Sequence, residues 1–446
     1  MAQVFRLANK TQTSTYNFLT GNLKPADMIR TPNGDGWYTT TMTLVARTTD
    51  ANIISAVNTI DELAEANALF WEDQHRTESI WLEESATDET TKRSLIQSIE
   101  LTPLQVGWFS TMLNKTGALY SLTIIHSAAW ENVTGGSVVT TDVGPLGELI
   151  TLPAIDGSLP GRIWDMNITG DADTTGTLTT FWGGIHSTQG TTGTSDFNAI
   201  IELEKGTLGS TDVALGSDSD DASPYGTTDN IITYTATTDD FQVVAVSMDQ
   251  AFTSTAYDHW IGDYLVLLRA KLSAESAVKL HLDVGYTAGA AHVGPNVYTS
   301  STAYIMLEMG TISLPPFPRD RTALLLGDLE FRLYLQRIGG VSTVLTADCL
   351  VLIPSEHAFK ITSASIPNAN TFGVKCYQYE DGLIAAQNLH SDGYVNISAY
   401  YSPTNFVYPV AGGSLIVVGQ ETAGHHMVND IGVSVYYYER FRTHGE

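Results

Sequence analysis

Short runs in which apolar and polar residues alternate recur along most of this chain. Clear examples lie at 38–46, 230–237 and 263–272, where β-branched and aromatic residues are frequent. Alternation with a period of two is typical of a half-buried β-strand, because successive side chains point to opposite faces. The pattern therefore predicts a mainly β protein, with further strands near the beginning of the chain at 79–83, 93–101 and 118–125.

The cleanest alternation lies close to residue 440. A strand is predicted at 414–418 after the turn Gly412-Gly413, and another at 430–442, in which Ile431, Val433 and Val435 share one face. We expect this last strand to close a sheet. From residue 162 onward, strands recur at short intervals and no helix is predicted, which is typical of a β-sandwich or jelly roll.

One segment has the periodicity of a helix. Between residues 50 and 72, apolar residues recur at spacings of three and four, and acidic residues occupy the other face. Asp50 is a good N-cap residue, and the period is lost after Trp71. We expect one helix at 51–72 whose apolar stripe is formed by Ile53, Val57, Ile60, Leu63, Ala64 and Phe70.

These elements predict two domains. Residues 1–150 form an α+β unit, a small sheet with one packed helix, and residues 151–446 form a large antiparallel β-sandwich or jelly roll. The stretch 133–158, rich in Gly, Thr, Val and Pro, is the candidate linker, although 148–152 has the pattern of an edge strand. The Pro-rich stretch 315–320 is consistent either with a second boundary or with a long interstrand loop.

The net charge of the chain disfavours some classes of function. The 446 residues include 49 Asp and Glu against 22 Lys and Arg, a net charge of −27. Such a surface repels phosphates, so we expect no sequence-specific nucleic-acid binding. The first residues lack the apolar core of a secretory signal, and no apolar run approaches the roughly 18 residues of a membrane-spanning helix. We therefore expect a chain that is made in the cytoplasm and does not insert into a membrane.

The usual catalytic signatures are missing from the sequence, including nucleotide-binding glycine loops, zinc-protease histidine pairs and serine-hydrolase elbows. We expect no enzyme activity, no cofactor and no catalytic or metal-binding residues. His425 and His426 are adjacent and would point to opposite faces of a strand, so we interpret them as loop residues. Cys349 and Cys376 lack a metal-binding spacing and are interpreted as small apolar residues in strands, with one disulfide as the alternative.

Two features of the sequence are consistent with a bound ligand. In the acidic loop, Asp218, Asp220 and Asp221 alternate with hydroxyl residues and could hold calcium through oxygen atoms, but no helices flank the loop, and a solvated surface loop is favoured. Tryptophan side chains could stack on sugars if they are exposed, although packing in the core is the commoner role of tryptophan. The three in question are Trp164, Trp182 and Trp260.

The order of strand, long helix, returning strands and then a β-sandwich resembles the distal tail proteins of long-tailed bacteriophages and their tail-tube relatives. The resemblance is one of layout. It is carried by 36–42 with the helix up to Phe70, by 79–83 with 92–96, and by 410–418 with 433–441. It implies a structural virion protein that forms a ring or tube, commonly of six copies, around a channel for DNA, with other tail proteins as partners.

Other interpretations remain open from the sequence. The aromatic-rich sandwich is consistent with a carbohydrate-binding module that attaches to host-surface glycans. A capsid-associated virion protein would share the same features. A glycoside hydrolase or lyase on a jelly roll would need a pair of carboxylates, and no spacing in the sequence singles one out.

Overall fold

The structure is a computed structural model, and it describes residues 3–34, 36–72, 78–86, 90–110, 115–143, 148–170, 178–187, 200–203, 207–208, 212–217, 231–247, 261–286, 292–314, 329–355, 358–366, 371–376, 384–388, 393–395, 397–399, 407–421 and 431–442. Within these ranges the protein is mainly β, with one helix and several antiparallel sheets, as the sequence predicts.

The chain folds into two compact units. Unit 1 comprises residues 1–136, 156–161 and 438–446, and unit 2 comprises 137–155 and 162–437. The elements in the first stretch of unit 1 are β1 (Val4–Asn9), β2 (Thr15–Asn17), β3 (Lys24–Pro32), β4 (Trp37–Thr48), α1 (Asp50–Glu72), β5 (Ile80–Ser85), β6 (Lys92–Ser110), β7 (Lys115–Ser127) and β8 (Trp130–Asn132).

The remaining elements follow in chain order. They are β9 (Gly136–Val143), β10 (Glu148–Leu152), β11 (Leu159–Gly170), β12 (Leu178–His186), β13 (Ile200–Glu202), β14 (Thr207–Leu208), β15 (Val213–Gly216), β16 (Ile231–Ala236), β17 (Gln242–Ser247), β18 (Gly262–Leu272), β19 (Val278–Tyr286), β20 (His292–Val293), β21 (Val297–Thr299), β22 (Ile305–Leu314), β23 (Leu329–Arg337), β24 (Thr343–Pro354), β25 (Phe359–Ile366), β26 (Thr371–Cys376), β27 (Ile384–Asn388), β28 (Gly393–Val395), β29 (Ile397–Ala399), β30 (Val407–Tyr408), β31 (Gly413–Glu421) and β32 (Ile431–Phe441).

Unit 1 contains two sheets that share the long strand β6. In one sheet the strands follow the order β2-β1-β5-β6-β8. After residue 95 strand β6 leaves this sheet, and from residue 96 it pairs with β7, which completes a second sheet of order β3-β4-β7-β6. We call this second sheet the four-stranded sheet. Helix α1 packs with the inner faces of both sheets around one apolar core.

Helix α1 begins within one residue of the prediction and ends where predicted. The predicted stripe is buried at Ile53, Ile60, Leu63 and Phe70, whereas Val57 and Ala64 are half-buried. The assignment of the N-cap to Asp50 was wrong. The carbonyl of Thr49 accepts the first helical hydrogen bond, from the amide of Ile53 at 3.1 Å, so Thr49 caps the helix and Asp50 is its first residue. A polar residue that the pattern did not place in the core, Asn67, is buried and donates to the carbonyl of Gln97.

Tyr16 fastens the loop that leads into β3. Its buried hydroxyl donates to the carbonyl of Leu23 at 3.0 Å and accepts from the amide of the same residue at 2.8 Å. Burial raises the pKa of the phenol above its ordinary value, so the group remains protonated.

We expect Tyr16→Phe to lower the free energy of unfolding by about 1–3 kcal/mol, because the backbone groups of Leu23 would lose their buried partner. Urea unfolding of the two proteins measures the difference. A change within about 0.5 kcal/mol, the range of ordinary surface substitutions, would contradict this role for the hydroxyl.

Unit 2 contains a two-sheet sandwich inserted between two neighbouring strands. Strands β12 and β25 pair directly in a five-stranded sheet of order β10-β31-β12-β25-β29. The chain between them forms two further sheets, β15-β16-β24-β18-β22, with β13 beside β24, and β14-β17-β23-β19-β20, with β21 beside β19. The inserted sandwich and the five-stranded sheet share one apolar core, which includes Trp182 and Val418 from the latter.

The two compact units are not separated by one boundary at residue 150, where the sequence analysis placed it. Residues 137–155 group with unit 2, and 438–446 return to unit 1. The candidate linker contains β9 and β10, and β10 is the edge strand expected at 148–152, since within the described ranges it pairs only with β31. The strand expected at 430–442 is present as β32 (Ile431–Phe441), and its residues Arg440 and Phe441 pair with β8. The stretch 315–320 lies outside the described residues.

Candidate assembly surface

Within the described residues, the four-stranded sheet of unit 1 has two unpaired edges. In the part of the chain that the structure describes, β3 pairs only with β4, and residues 96–110 of β6 pair only with β7. An unpaired edge presents a row of backbone amide and carbonyl groups, which is a template for a strand of another molecule. The two edges belong to different strands, β3 and β6, so they are not equivalent.

The prolines of this sheet lie only on its edge strands. Pro25 and Pro32 lie in β3 and Pro103 lies in β6, whereas the central strands β4 and β7 contain none. Proline lacks a backbone donor and is tolerated where no ladder bond is needed. Strand β6 continues through Pro103 to Ser110, beyond the predicted end at residue 101.

The edge strand β3 exposes apolar side chains. The exposed fractions are 64% for Ile29 and 48% for Met28. Met28 and Pro25 line one side of an open cleft of about 280 Å³, whose other lining residues include Val4, Phe5 and Leu19. Strand β3 also carries features that limit edge pairing, namely its two prolines, charged residues and a register shift between Pro25 and Asp27. Met28 and Ile29 lie after that shift and form its exposed apolar patch.

Arg30 ties β3 to the opposite sheet. Its guanidinium forms an ion pair with Glu84 on β5, and its Nε donates to the hydroxyl of Thr40 at 3.1 Å. The same group lies 5.2 Å from the ring centre of Trp130. These contacts hold the edge strand in place from its inner face and leave its outer edge unpaired within the described residues.

A buried histidine lies beneath this contact. The Nε2 atom of His126 is 2.9 Å from the hydroxyl of Thr40, and its Nδ1 atom is 3.0 Å from the hydroxyl of Ser94. The Ser94 hydroxyl donates to the carbonyl of Ser127, so Nδ1 carries the ring proton and Nε2 accepts from Thr40. Burial first, and then the charge of Arg30, lowers the pKa of His126 to about 4, so the ring is neutral at neutral pH.

The outward face of the four-stranded sheet is rich in hydroxyl groups. Two rows cross all four strands in register, and their members are Ile29, Thr41, Thr123 and Glu100 in one and Asp27, Thr43, Ser121 and Thr102 in the other. Neither row contains a basic residue. Hydrogen bonds from Thr43 lower the pKa of Asp27, so its carboxylate is ionised at neutral pH. The middle of this face therefore presents hydroxyls and negative charge.

The residues that the sequence singled out do not form a site together. Trp182 is buried and donates from Nε1 to Glu308 at 3.4 Å, so the prediction that tryptophan packs in the core is confirmed for this residue. Cys349 is buried in β24, as expected of a small apolar side chain. The side chains of Trp164 and Cys376 lie outside the described residues, as do Trp260, the acidic loop from Asp218 to Asp221 and the pair His425 and His426.

The described residues contain no group of three or more His, Cys, Asp or Glu that could hold a metal ion. Within the same residues, no helix has the length and apolar character needed to span a bilayer.

The sequence reasoning did not identify the surface formed by β3. Strand β3 shows little alternation because most of its residues on both faces are exposed. A usable signal was present, since Pro25 and Pro32 bracket a six-residue stretch with two adjacent apolar residues. The role of His126 required the fold, because its polar partners are far away in the sequence.

Comparisons with known proteins do not assign a family. No protein-family model matches this chain, and no curated protein matches it. Among solved structures, a chain of the T13 IBDV viral particle is 9% identical, with 94% of this chain and 80% of that chain covered and a TM-score of 0.15. At that TM-score the similarity carries no argument about fold or function.

Proposed function

We propose that this chain is a structural virion protein of a bacteriophage, a tail component that assembles with copies of itself into a ring or tube. The observation that carries the proposal is the pair of different edges of the four-stranded sheet that have no partner strand among the described residues. The phage and tail assignments come from the resemblance in layout. Other tail proteins are the expected further partners.

Assembly would join β3 of one copy to β6 of the next. Such a head-to-tail contact uses two different surfaces, so repeating it generates a closed ring or an open helical tube instead of a symmetric dimer. Backbone hydrogen bonds along the new strand pair would supply affinity, and Met28 and Ile29 would supply apolar contact at the joint.

The outward face of the sheet suits a wall along which DNA moves. In a ring built by edge pairing, the two hydroxyl rows of successive copies would form one continuous surface. The two rows contain no basic residue, the nearest on the same face being Lys24 and Arg47 toward one end of the strands, and the net charge of −27 opposes phosphate binding. The proposal therefore includes a duct that DNA traverses without adhering.

We expect Ile29→Lys to prevent assembly, because it places a charge at the apolar joint of an exposed edge strand. The purified native chain should form particles far heavier than one chain of 48.3 kDa, whereas the variant should remain monomeric or dissociate at a concentration at least about tenfold higher. Multi-angle light scattering across a dilution series measures both.

A matched control is Val341→Lys, which adds the same charge at another exposed apolar residue, 57% exposed and in unit 2. Since Ile29 is itself 64% exposed, both variants should fold with the native circular dichroism spectrum. Equal particle mass for Ile29→Lys and the native chain would contradict the assigned edge, and a native chain that stays monomeric at all concentrations, alone and with virion extracts, would contradict the function.

A further inference from the structure

Unit 1 is discontinuous, and its last part comes from far along the chain. Residues 1–136 supply both sheets and the helix, but 438–446 belong to the same compact unit. Within β32, Phe441 pairs with Trp130 and Arg440 with Glu131 on β8. About 300 residues therefore separate the strand β8 from the strand that completes the sheet beside it.

Residues 438–441 of β32 cover Lys92 and Arg93, the first two residues of β6. The ring of Tyr438 lies 4.4 Å from the guanidinium carbon of Arg93, and the ring of Phe441 lies 3.8 Å from the ammonium of Lys92. Both basic residues are almost fully buried, and Arg93 forms an ion pair of 2.8 Å with Glu131. Buried charges are tolerated only while partners and apolar cover keep them from water.

Further hydrogen bonds fasten the same strand. The carboxylate of Glu439 accepts from the side chain of Asn132 at 2.8 Å and from the amide of Asp156 at 3.4 Å, and the amide of Arg442 donates to Ser158 at 2.9 Å. Phe441 itself belongs to the apolar core of unit 1. Residues 438–442 thus bind strand β8, the segment 156–161 and the first two residues of β6 at once.

We propose that residues 438–442 act as a latch that makes the β6 docking edge competent only after the chain has been synthesised through residue 442. The reason is that residues 92–95 and 96–110 are one continuous strand, so loss of cover at Lys92 and Arg93 loosens the segment that carries the edge. Nascent or truncated chains would then be excluded from the assembly. This inference rests on the proposed function, whose docking edge the latch controls.

The test uses three forms of the protein beside the native chain. One ends after Tyr437 and lacks the latch, one ends after Arg442 and keeps it, and one is the full chain with Phe441→Ala. Hydrogen exchange of residues 92–110, read by mass spectrometry on monomer at high dilution, reports the order of β6. Light scattering at high concentration reports assembly.

We expect exchange in 92–110 to be at least about a hundredfold faster in the chain that ends after Tyr437 and in Phe441→Ala, since a buried Phe is lost in both. The chain that ends after Arg442 and the variant Phe441→Leu should remain within about tenfold of the native rate. Amides of β18 and β24 in unit 2 should be unchanged in all forms, which shows that the chain folds.

The two proposals fail in different ways. Native exchange in the chain that ends after Tyr437 overturns the latch, whether or not that chain assembles. Fast exchange together with normal assembly also overturns it. If the native chain never assembles, the proposed function fails, while the exchange rates still decide whether residues 438–442 order β6.

Discussion

Acidification from pH 6.5 to pH 4 is expected to lower the free energy of unfolding of unit 1 by about 3 kcal/mol through His126. Burial lowers the pKa of this ring from 6.5 to about 4 in the folded protein, so the unfolded chain binds the proton first as the pH falls. The stabilisation is complete above pH 6.5, is lost progressively down to pH 4 and changes no further below it. Protonation of Nε2 would also break the hydrogen bond from Thr40 and place a second cation near Arg30.

The comparison with His126→Asn isolates this contribution from the carboxylates that titrate in the same range. At pH 7 the variant should be less stable, because the contacts with Ser94 and Thr40 are imperfect. As the pH falls to 4 the difference from the native protein should shrink by about 3 kcal/mol. Hydrogen exchange of residues 115–127 as a function of pH measures it, and parallel pH profiles for the two proteins would show that His126 is not the titrating group.

The second large effect concerns the buried ion pair of unit 2. Nη1 of Arg269 on β18 lies 2.7 Å from Oδ2 of Asp348 on β24, and both side chains are 3% exposed or less. The guanidinium also lies 4.2 Å from the ring centre of Tyr304. Replacing Asp348 by Ala would leave a cation in the core without its carboxylate, so we expect a loss of about 3–5 kcal/mol in the free energy of unfolding.

The double variant Arg269→Met with Asp348→Leu should recover most of that loss, because no charge remains to be desolvated. The matched control is Arg337→Met in the same unit, whose partner Asp239 is 67% exposed, and it should cost less than about 1 kcal/mol. Urea unfolding followed through unit 2 measures all three. A loss below 1 kcal/mol for Asp348→Ala, or a double variant as unstable as the single one, would contradict a desolvated pair.

Strands and the helix were predictable where one face is buried and the other is exposed. The helix at 51–72 and the strands at 38–46, 230–237 and 263–272 agree with the structure to within a few residues, because their apolar residues follow the period of the element. Strand β3 was missed because it has no buried face to impose a period. Strand β6 extends from Lys92 to Ser110, beyond the predicted 93–101.

The sequence by itself determined the mainly β class, the helix at 51–72 and the strand at 430–442, since these depend on side-chain periodicity over a few neighbouring residues. Only the tertiary structure decided which strands lie at the edges of the four-stranded sheet, that His126 lies beside Arg30, and that residues 438–442 return to unit 1. These features depend on pairings between segments as far as 311 residues apart, as for Trp130 and Phe441. Local pattern carries no information about such pairings, because any strand with the right alternation can pair with many others.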